Sequence, residues 1–238
     1  MEQIVSNYRV VGTLQPSATR PMGDSVSPKA MIAQVLADNS RPVSVLDIGF
    51  GVGTLGQFIK THPDLRHWSV DGVDGWGPNC HNRDLLDQNI YRNVWHGLAQ
   101  ELPMEQIKSY DIICLLDVIE HLPRELARTL VKDLLESLAD DALLFISTPL
   151  WFYPQDALQD GDLEEHLIGV PASSMLAMQP RMYCINHPLV GGFIYDKRSL
   201  AYADFFQPST DRNFSYAMGM EIVRAVRMEH APGVIYKY

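Results

Sequence analysis

The chain has few cysteines, and none is placed for a metal or redox motif. Its 238 residues include three, widely spaced and without CxxC spacing: Cys80, Cys114 and Cys184. This number and spacing exclude a zinc finger, a CxxC redox pair and a disulfide framework. We therefore expect buried or unreactive thiols in a reducing compartment.

Concentrated positive charge is also missing. The formal net charge is −10, and no Lys/Arg run is longer than two residues. Proteins that hold nucleic acid owe most of their affinity to neutralising phosphates. The charge therefore argues against a nucleic-acid partner.

Long apolar runs are absent as well. No run reaches the roughly 20 residues of a membrane helix, and the first eleven residues lack the apolar stretch of a secretory signal. We expect a cytoplasmic protein without a membrane span. The sequence does not specify the oligomeric state and leaves a homodimer open.

The chain does contain alternating apolar strands and amphipathic helices. The patterns predict strands at 43–48, 67–73, 92–96, 111–116 and 141–147, and helices at 54–61, 79–89 and 124–138. Such alternation is typical of a parallel sheet. With two further strands at the end of the chain, it predicts a doubly wound, mostly parallel, seven-stranded α/β sheet.

The predicted organisation is one domain over 1–238. Residues 1–42 form an extension that is irregular to about position 22, with a helix capped by Ser27, and 43–148 form the ligand-binding half. Residues 149–195 have no clear period and predict a substrate-side insertion. In 196–238, Asp196 caps a helix, and 220–227 and 234–238 form an antiparallel hairpin.

A glycine loop follows the first predicted strand, in the sequence VLDIGFGVGT at 45–54. Alternate glycines let a ligand lie against the main chain. Residues 51–56 also match the dinucleotide pattern GxGxxG, with acidic residues at 71 and 74. Asp47, however, would repel a pyrophosphate and suits a cationic ligand. Of the two downstream acids, we expect Asp71 to be an ordinary turn residue.

Four further motifs follow the glycine loop in a fixed order. They are GVD at 72–74, GLAQELP at 97–103, DIICLLDVIEHL at 111–122 and LLFISTP at 143–149. Over roughly 43–150, the set resembles the class I S-adenosylmethionine-dependent methyltransferases. The resemblance implies S-adenosylmethionine as cofactor and S-adenosylhomocysteine as product.

The resemblance also implies a role for each matching residue. Asp47 would orient the methionine part of the cofactor, which would lie against the bare backbone of Gly49, Gly51 and Gly53. Asp74, at the end of the second strand, would hold the ribose, and Leu98 and Ala99 in the following loop would contact the adenine. Asp117 would lie beside the methyl group.

Candidates for acceptor-side chemistry follow the fourth and fifth strands. His121 has a side chain suited to proton transfer near neutrality, although Glu120-His121 could instead cap the next helix. Beyond the fifth strand, Tyr153, Gln155 and His166 lie in an aromatic and polar segment typical of a small-molecule pocket, or of lid packing. The acids of 160–165 are interpreted as a solvated loop, and we expect no metal site.

These observations predict methyl transfer to a small-molecule acceptor, at oxygen. Three alternatives remain open at this point: a non-catalytic partner subunit with the same fold, a methyltransferase that acts on a macromolecule, and a nicotinamide oxidoreductase.

Overall fold

The strands of the computed structural model lie in one continuous sheet. The structure describes residues 9–14, 43–186, 190–213 and 233–237. Within these ranges the strands are β1 (Arg9–Leu14), β2 (Ser44–Ile48), β3 (Ser69–Asp74), β4 (Asn93–His96), β5 (Ile112–Leu116), β6 (Leu143–Pro149), β7 (Met182–Asn186), β8 (Val190–Tyr195) and β9 (Gly233–Lys237). Their order across the sheet is β1-β9-β7-β8-β6-β5-β2-β3-β4.

The five strands predicted before position 148 form the parallel half of this sheet. Strands β4, β3, β2, β5 and β6 are neighbours in that order, and every pairing among them is parallel. Their carboxyl ends therefore meet along one edge. The predicted α/β class is confirmed, and the described strands number nine rather than seven.

The helices connect these strands. They are α1 (Thr54–Thr61), α2 (Gly77–Cys80), α3 (Arg83–Asp87), α4 (Met104–Ile107), α5 (Arg124–Ser137) and α6 (Ala172–Ala177), with 3₁₀ helices at Ala99–Glu101, Ile119–His121 and Lys197–Phe205. The prediction of a single helix at 79–89 is wrong, because α2 and α3 are separate helices. The Asn82 side chain accepts a hydrogen bond from the Asp84 amide and begins a separate helix there. In the part of the chain that the structure describes, no helix is both long and apolar enough to cross a bilayer.

Both faces of the parallel half are covered. Alternate residues of a strand point to opposite faces, and two apolar clusters follow this rule. One cluster joins the strands to α5 through Leu46, Ile48, Ile113, Leu115, Leu130 and Leu134. The other joins them to α1 through Val45, Val70, Ile112, Cys114, Leu55 and Ile59.

The antiparallel half corrects two expectations. Strand β8 pairs with β6 and β7, and β9 pairs with β7 and β1, all antiparallel. Residues 149–195 are therefore not irregular throughout, and Arg9–Leu14 is a strand. Strand β8 is buried along its whole length and contains Gly191 and Gly192, so its sequence shows neither an alternating pattern nor high β propensity.

Two predicted elements lie outside the described residues. They are the helix capped by Ser27 and the strand at 220–227. The last strand is present as β9, but its two neighbours in the sheet are β1 and β7, so the predicted hairpin at the sheet edge is wrong. Asp196 caps as predicted, since its carboxylate accepts from the Arg198 amide, but the helix that follows is 3₁₀.

Candidate functional site

A cavity of about 700 Å³ opens at the carboxyl ends of the parallel strands. This is the edge at which open α/β sheets bind ligands. The predicted residues that line the cavity are Gly49, Gly51, Asp74, Leu98, Ala99, Asp117 and His121. The fold therefore gathers residues that the sequence spreads over more than seventy positions.

The glycine loop has a backbone that few other residues adopt. Gly49, Gly51 and Gly53 have φ values of 69°, 55° and 77°, in the left-handed region that costs L residues about 1–2 kcal/mol. An added Cβ at Gly51 would meet no protein atom within 4 Å, whereas one at Gly53 would lie 2.6 Å from Leu85. Gly51 thus leaves open space at the cavity wall, and Gly53 permits close packing.

Asp74 ties the glycine loop to the tip of β3. Its carboxylate accepts hydrogen bonds from the Gly51 amide at 2.8 Å, the Trp76 amide at 2.7 Å and the Asn79 side chain at 3.3 Å. The carboxylate lines the cavity while it holds the loop. The same group can therefore set the shape of the loop and face a ligand.

Asp47 lies behind the loop and is buried. The Tyr91 hydroxyl donates to its Oδ2 atom at 2.8 Å, and the Tyr91 ring packs against Phe50 with ring centroids 4.9 Å apart. Burial, together with the neighbouring Asp47 carboxylate, holds the pKa of Tyr91 well above its usual range. The described lining of the cavity includes neither Asp47 nor Gly53, so direct ligand contact by either stays a prediction.

The loop after β4, for which the sequence predicts contact with adenine, lies at the cavity. Leu98, Ala99 and Gln100 all line the cavity. The Leu98 amide donates to Glu101 at 3.0 Å, which fixes the first turn of the 3₁₀ helix. Trp76, whose backbone is held by Asp74, lines the cavity as well and was not identified from the sequence.

Asp117 follows β5 in an unusual conformation. Its φ of 56° is in the left-handed region, which Asp tolerates better than most residues. Its amide donates to the Ser147 carbonyl at 2.8 Å, and its Oδ1 atom accepts from the Ser147 hydroxyl at 2.9 Å. The end of β6 thus fixes a carboxylate at the cavity wall.

Two histidines from distant parts of the chain meet beside Asp117. The His121 and His166 rings lie 4.7 Å apart, edge to face, and Glu120 lies with them. The Thr148 hydroxyl donates to the buried Glu120 carboxylate at 3.1 Å. Burial lowers the pKa of His166; the hydrogen bond to the Tyr153 carbonyl offsets this in part, and the neighbouring His121 lowers the pKa further.

Tyr153 and Gln155 hold the segment that carries His166. The Tyr153 carbonyl is 2.7 Å from His166 Nδ1, and the rings are 5.9 Å apart. The Gln155 side chain donates to the Glu164 carbonyl at 2.7 Å. The Tyr153 side chain is exposed, and its predicted contact with an acceptor remains a prediction.

Asp71 is not the turn residue that we expected. It is buried in the middle of β3, where its carboxylate accepts from Arg92, Asn93 and the Tyr110 hydroxyl. Burial raises the pKa of Asp71, but the hydrogen bonds and the charge of Arg92 outweigh it, and the net pKa is below the usual value. Because these contacts occupy it inside the sheet, Asp71 serves the fold.

The charged residues on the cavity wall are mostly acidic. Asp74, Asp117 and Glu164 line it, and neither Lys nor Arg is among its described lining residues. Such a wall favours a cationic ligand and disfavours a pyrophosphate. This observation separates the two ligands that the glycine loop alone left open.

The site also contains residues that sequence reasoning missed. The sequence pattern pairs Glu120 with His121 only and predicts no role for Trp76, Asn79, Leu163 or Leu167. All of these residues except Glu120 line the cavity. Trp76 lies two residues after the GVD motif, and that proximity is the available signal. Leu163 and Leu167 carry no motif and reach the cavity only through the folding of the segment after β6.

An α/β fold with an acidic cavity at the carboxyl ends of its parallel strands is typical of a ligand-binding α/β enzyme. A model of the methyltransferase domain family matches residues 26–201, which is more than half of the chain. The chain belongs to this family, and its identification as a class I S-adenosylmethionine-dependent methyltransferase is confirmed. No curated protein sequence matches it at a significant level.

Several solved structures are similar to the chain. Coclaurine N-methyltransferase bound to N-methylheliamine and S-adenosylhomocysteine has 14% identity and a TM-score of 0.53, with 94% of this chain and 74% of that one covered. The plantazolicin methyltransferase BpumL with S-adenosylhomocysteine has 22% identity and a TM-score of 0.43, with 52% and 46% covered.

The magnesium protoporphyrin IX methyltransferase of Synechocystis PCC 6803 with bound S-adenosylmethionine has 24% identity and a TM-score of 0.41, with 57% and 61% covered. The chain thus matches less than two thirds of the length of the last two enzymes. At 14% identity, the likeness to the coclaurine enzyme shows only that the two proteins share a fold.

Proposed function

We propose that the chain transfers the methyl group of S-adenosylmethionine to an oxygen atom of a small-molecule acceptor. The observation that carries the proposal is the acidic cavity beside the left-handed glycine loop. A cavity of about 700 Å³ is within the range of small-ligand sites, about 300–1,000 Å³. Its acids complement the sulfonium and ammonium groups of the cofactor.

The cofactor would lie along the cavity in one direction. Its methionine part would rest on Gly49 and Gly51, with Asp47 acting from behind. Asp74 would accept hydrogen bonds from the ribose hydroxyls, while Leu98 and Ala99 flank the adenine. Asp117 would then stand beside the methyl group, next to the two histidines.

The acceptor would enter from the side of Tyr153, His121 and His166. Methyl transfer is an in-line displacement, so positioning supplies much of the rate and a base is needed only if the nucleophile keeps its proton. The acceptor oxygen attacks the methyl carbon as the carbon–sulfur bond breaks. The proton of the acceptor oxygen goes to the imidazole of His121 or His166, and S-adenosylhomocysteine, with a neutral sulfur atom, leaves.

Calorimetric titration with S-adenosylhomocysteine tests the cofactor site. Hydrogen bonds to a charged acceptor contribute about 1.5–3 kcal/mol, so Asp74→Asn should weaken binding by roughly 10–150-fold. Asp140→Asn, at an exposed position on the opposite edge of the sheet, is the matched control and should bind like the unmodified protein. Absence of binding in the unmodified protein would contradict the proposal.

The acceptor atom is tested separately. Release of S-adenosylhomocysteine is followed with a panel of small hydroxyl and carboxyl compounds and a matched panel of amines. We expect turnover with oxygen acceptors. Turnover confined to the amines would show that the proposed acceptor atom is wrong and leave the cofactor site standing.

A further inference from the structure

Glu120, His121 and His166 together form a group of potential metal ligands that is separate from the residues assigned to the cofactor. The potential metal-binding atoms of the three side chains all lie within 4.8 Å of one another. A point at the centre of such a triangle is at most about 2.8 Å from each atom, and zinc–ligand distances are about 2.0–2.2 Å. An inward movement of less than about 1 Å by each side chain would complete a coordination shell.

The hydrogen bonds of both histidines favour the same interpretation. His121 Nδ1 is 3.1 Å from the Glu165 carbonyl, and His166 Nδ1 is 2.7 Å from the Tyr153 carbonyl. A carbonyl oxygen only accepts, so each neutral ring carries its proton on Nδ1 and keeps a lone pair on Nε2. Histidines that bind metals are held in this way, with the second nitrogen donating to a carbonyl or carboxylate.

The carboxylate of the group is oriented in a comparable manner. Thr148, at the end of β6, donates its hydroxyl hydrogen bond to Glu120 Oε2 at 3.1 Å. The Glu120 carbonyl accepts from the Leu167 and Ile168 amides at 2.8 Å and 3.3 Å, which places the segment carrying His166 against the end of β5. The three side chains are therefore brought together by backbone contacts independent of any ion.

We propose that Glu120, His121 and His166 bind one divalent ion of the zinc class at the acceptor side of the cavity. Two imidazoles and one carboxylate suit Zn²⁺ and its first-row neighbours better than Mg²⁺ or Ca²⁺, which prefer oxygen ligands. Three protein ligands leave at least one coordination position open, as in catalytic zinc sites. This proposal departs from the sequence-based expectation of no metal site, which considers only the acidic run at 160–165.

The ion gives the acceptor a chemical class, and this step rests on the proposed function. His121 lines the cofactor cavity, so the open position would take a hydroxyl or carboxylate oxygen of the acceptor. A bound cation lowers the pKa of such a hydroxyl. Glu120, His121 and His166 would then hold the ion, and the ion would ease loss of the acceptor proton to solvent. With the ion bound, the two imidazoles would serve as ligands and would not take that proton themselves.

Metal binding is measured on protein treated with a chelator and then dialysed. Zn²⁺ is titrated in competition with a chromophoric chelator, and Co²⁺ is titrated by visible absorption, which reports nitrogen ligation. We expect one equivalent in the unmodified protein, and binding at least 100-fold weaker in His121→Ala and in His166→Gln. His67→Ala removes an exposed histidine just before β3 and should bind like the unmodified protein.

Two results would overturn the site: no stoichiometric binding in the unmodified protein, or unchanged binding in both ligand variants. His121 is only half-buried, so His121→Ala decides the matter if His166→Gln fails to fold. The same samples are titrated with S-adenosylhomocysteine. A protein that binds the metal ion but not S-adenosylhomocysteine would refute the proposed function alone. A protein that binds S-adenosylhomocysteine but not the metal ion would refute the metal site alone.

Discussion

Substituting Ala for Gly51 or Gly53 separates two uses of glycine in one loop. Both residues have positive φ, at 55° and 77°, so both substitutions introduce the same backbone strain. They differ in what the added methyl group meets. At Gly51 it meets no protein atom within 4 Å, and at Gly53 it lies 2.6 Å and 2.8 Å from the two terminal carbons of Leu85.

The expected magnitudes follow from these distances. The left-handed backbone costs Ala about 1–2 kcal/mol, partly offset by the stiffer unfolded chain, so Gly51→Ala should lower the free energy of unfolding by about 1 kcal/mol. At Gly53 overpacking adds about 1–3 kcal/mol, for a total of about 2–4 kcal/mol. Gly51 lines the cavity, so its methyl group would occupy space assigned to the cofactor, and affinity for S-adenosylhomocysteine should fall at least tenfold. Gly53→Ala should change this affinity less.

Two measurements on each variant decide the matter. Urea unfolding followed by tryptophan fluorescence gives the free energy of unfolding, and calorimetric titration gives the affinity for S-adenosylhomocysteine. Both are compared with the unmodified protein. If Gly51→Ala binds the ligand as tightly as the unmodified protein, the cofactor does not lie against this backbone and the assigned direction of the cofactor is wrong.

Two predictions concern the interior of the sheet. Arg92→Gln should lower the free energy of unfolding by about 1–2 kcal/mol at neutral pH. The pKa of Asp71 is lowered in the folded protein, so its ionised carboxylate stabilises the fold above the ordinary carboxyl pKa. This contribution is lost as the pH falls through the pKa of Asp71 in the folded protein. The deficit should therefore shrink on acidification, and urea unfolding across a pH series checks it; a deficit independent of pH would refute the role of the ion pair. The three thiols are buried and their pKa values are raised by burial, so a disulfide reagent at mildly alkaline pH should label them only as fast as the protein unfolds, and fast labelling of the native protein would contradict this.

The parallel half of the fold was predictable because its signals are local. The helix α1 spans Thr54–Thr61, as its period and the preceding glycine loop predict. Strands β2, β5 and β6 are short, largely apolar runs between turn residues, and the observed bounds of all five parallel strands lie within about two residues of the prediction. In a chain where strands and helices alternate, such apolar runs indicate parallel strands that are buried on both faces.

The antiparallel half could not be predicted in the same way. Strand β8 depends on pairing with β6 and β7 on either side, and Gly191 and Gly192 lower its intrinsic preference for an extended strand. The meeting of Glu120 and His121 with His166 was also hidden, because more than forty residues separate them. Only the backbone contacts after β5 and β6 bring them together, and no local pattern encodes those contacts.

The segment that carries His166 is fixed at both of its ends. The His166 amide donates to the Gln155 carbonyl at 3.0 Å, and the next two amides donate to the Glu120 carbonyl. Between these anchors, residues 156–161 are exposed, and Leu158 is 83% exposed. Residues 156–161 are not among the residues that line the described cavity, and both anchors lie outside them, so lengthening or substituting this tip should leave the position of the His166 imidazole unchanged.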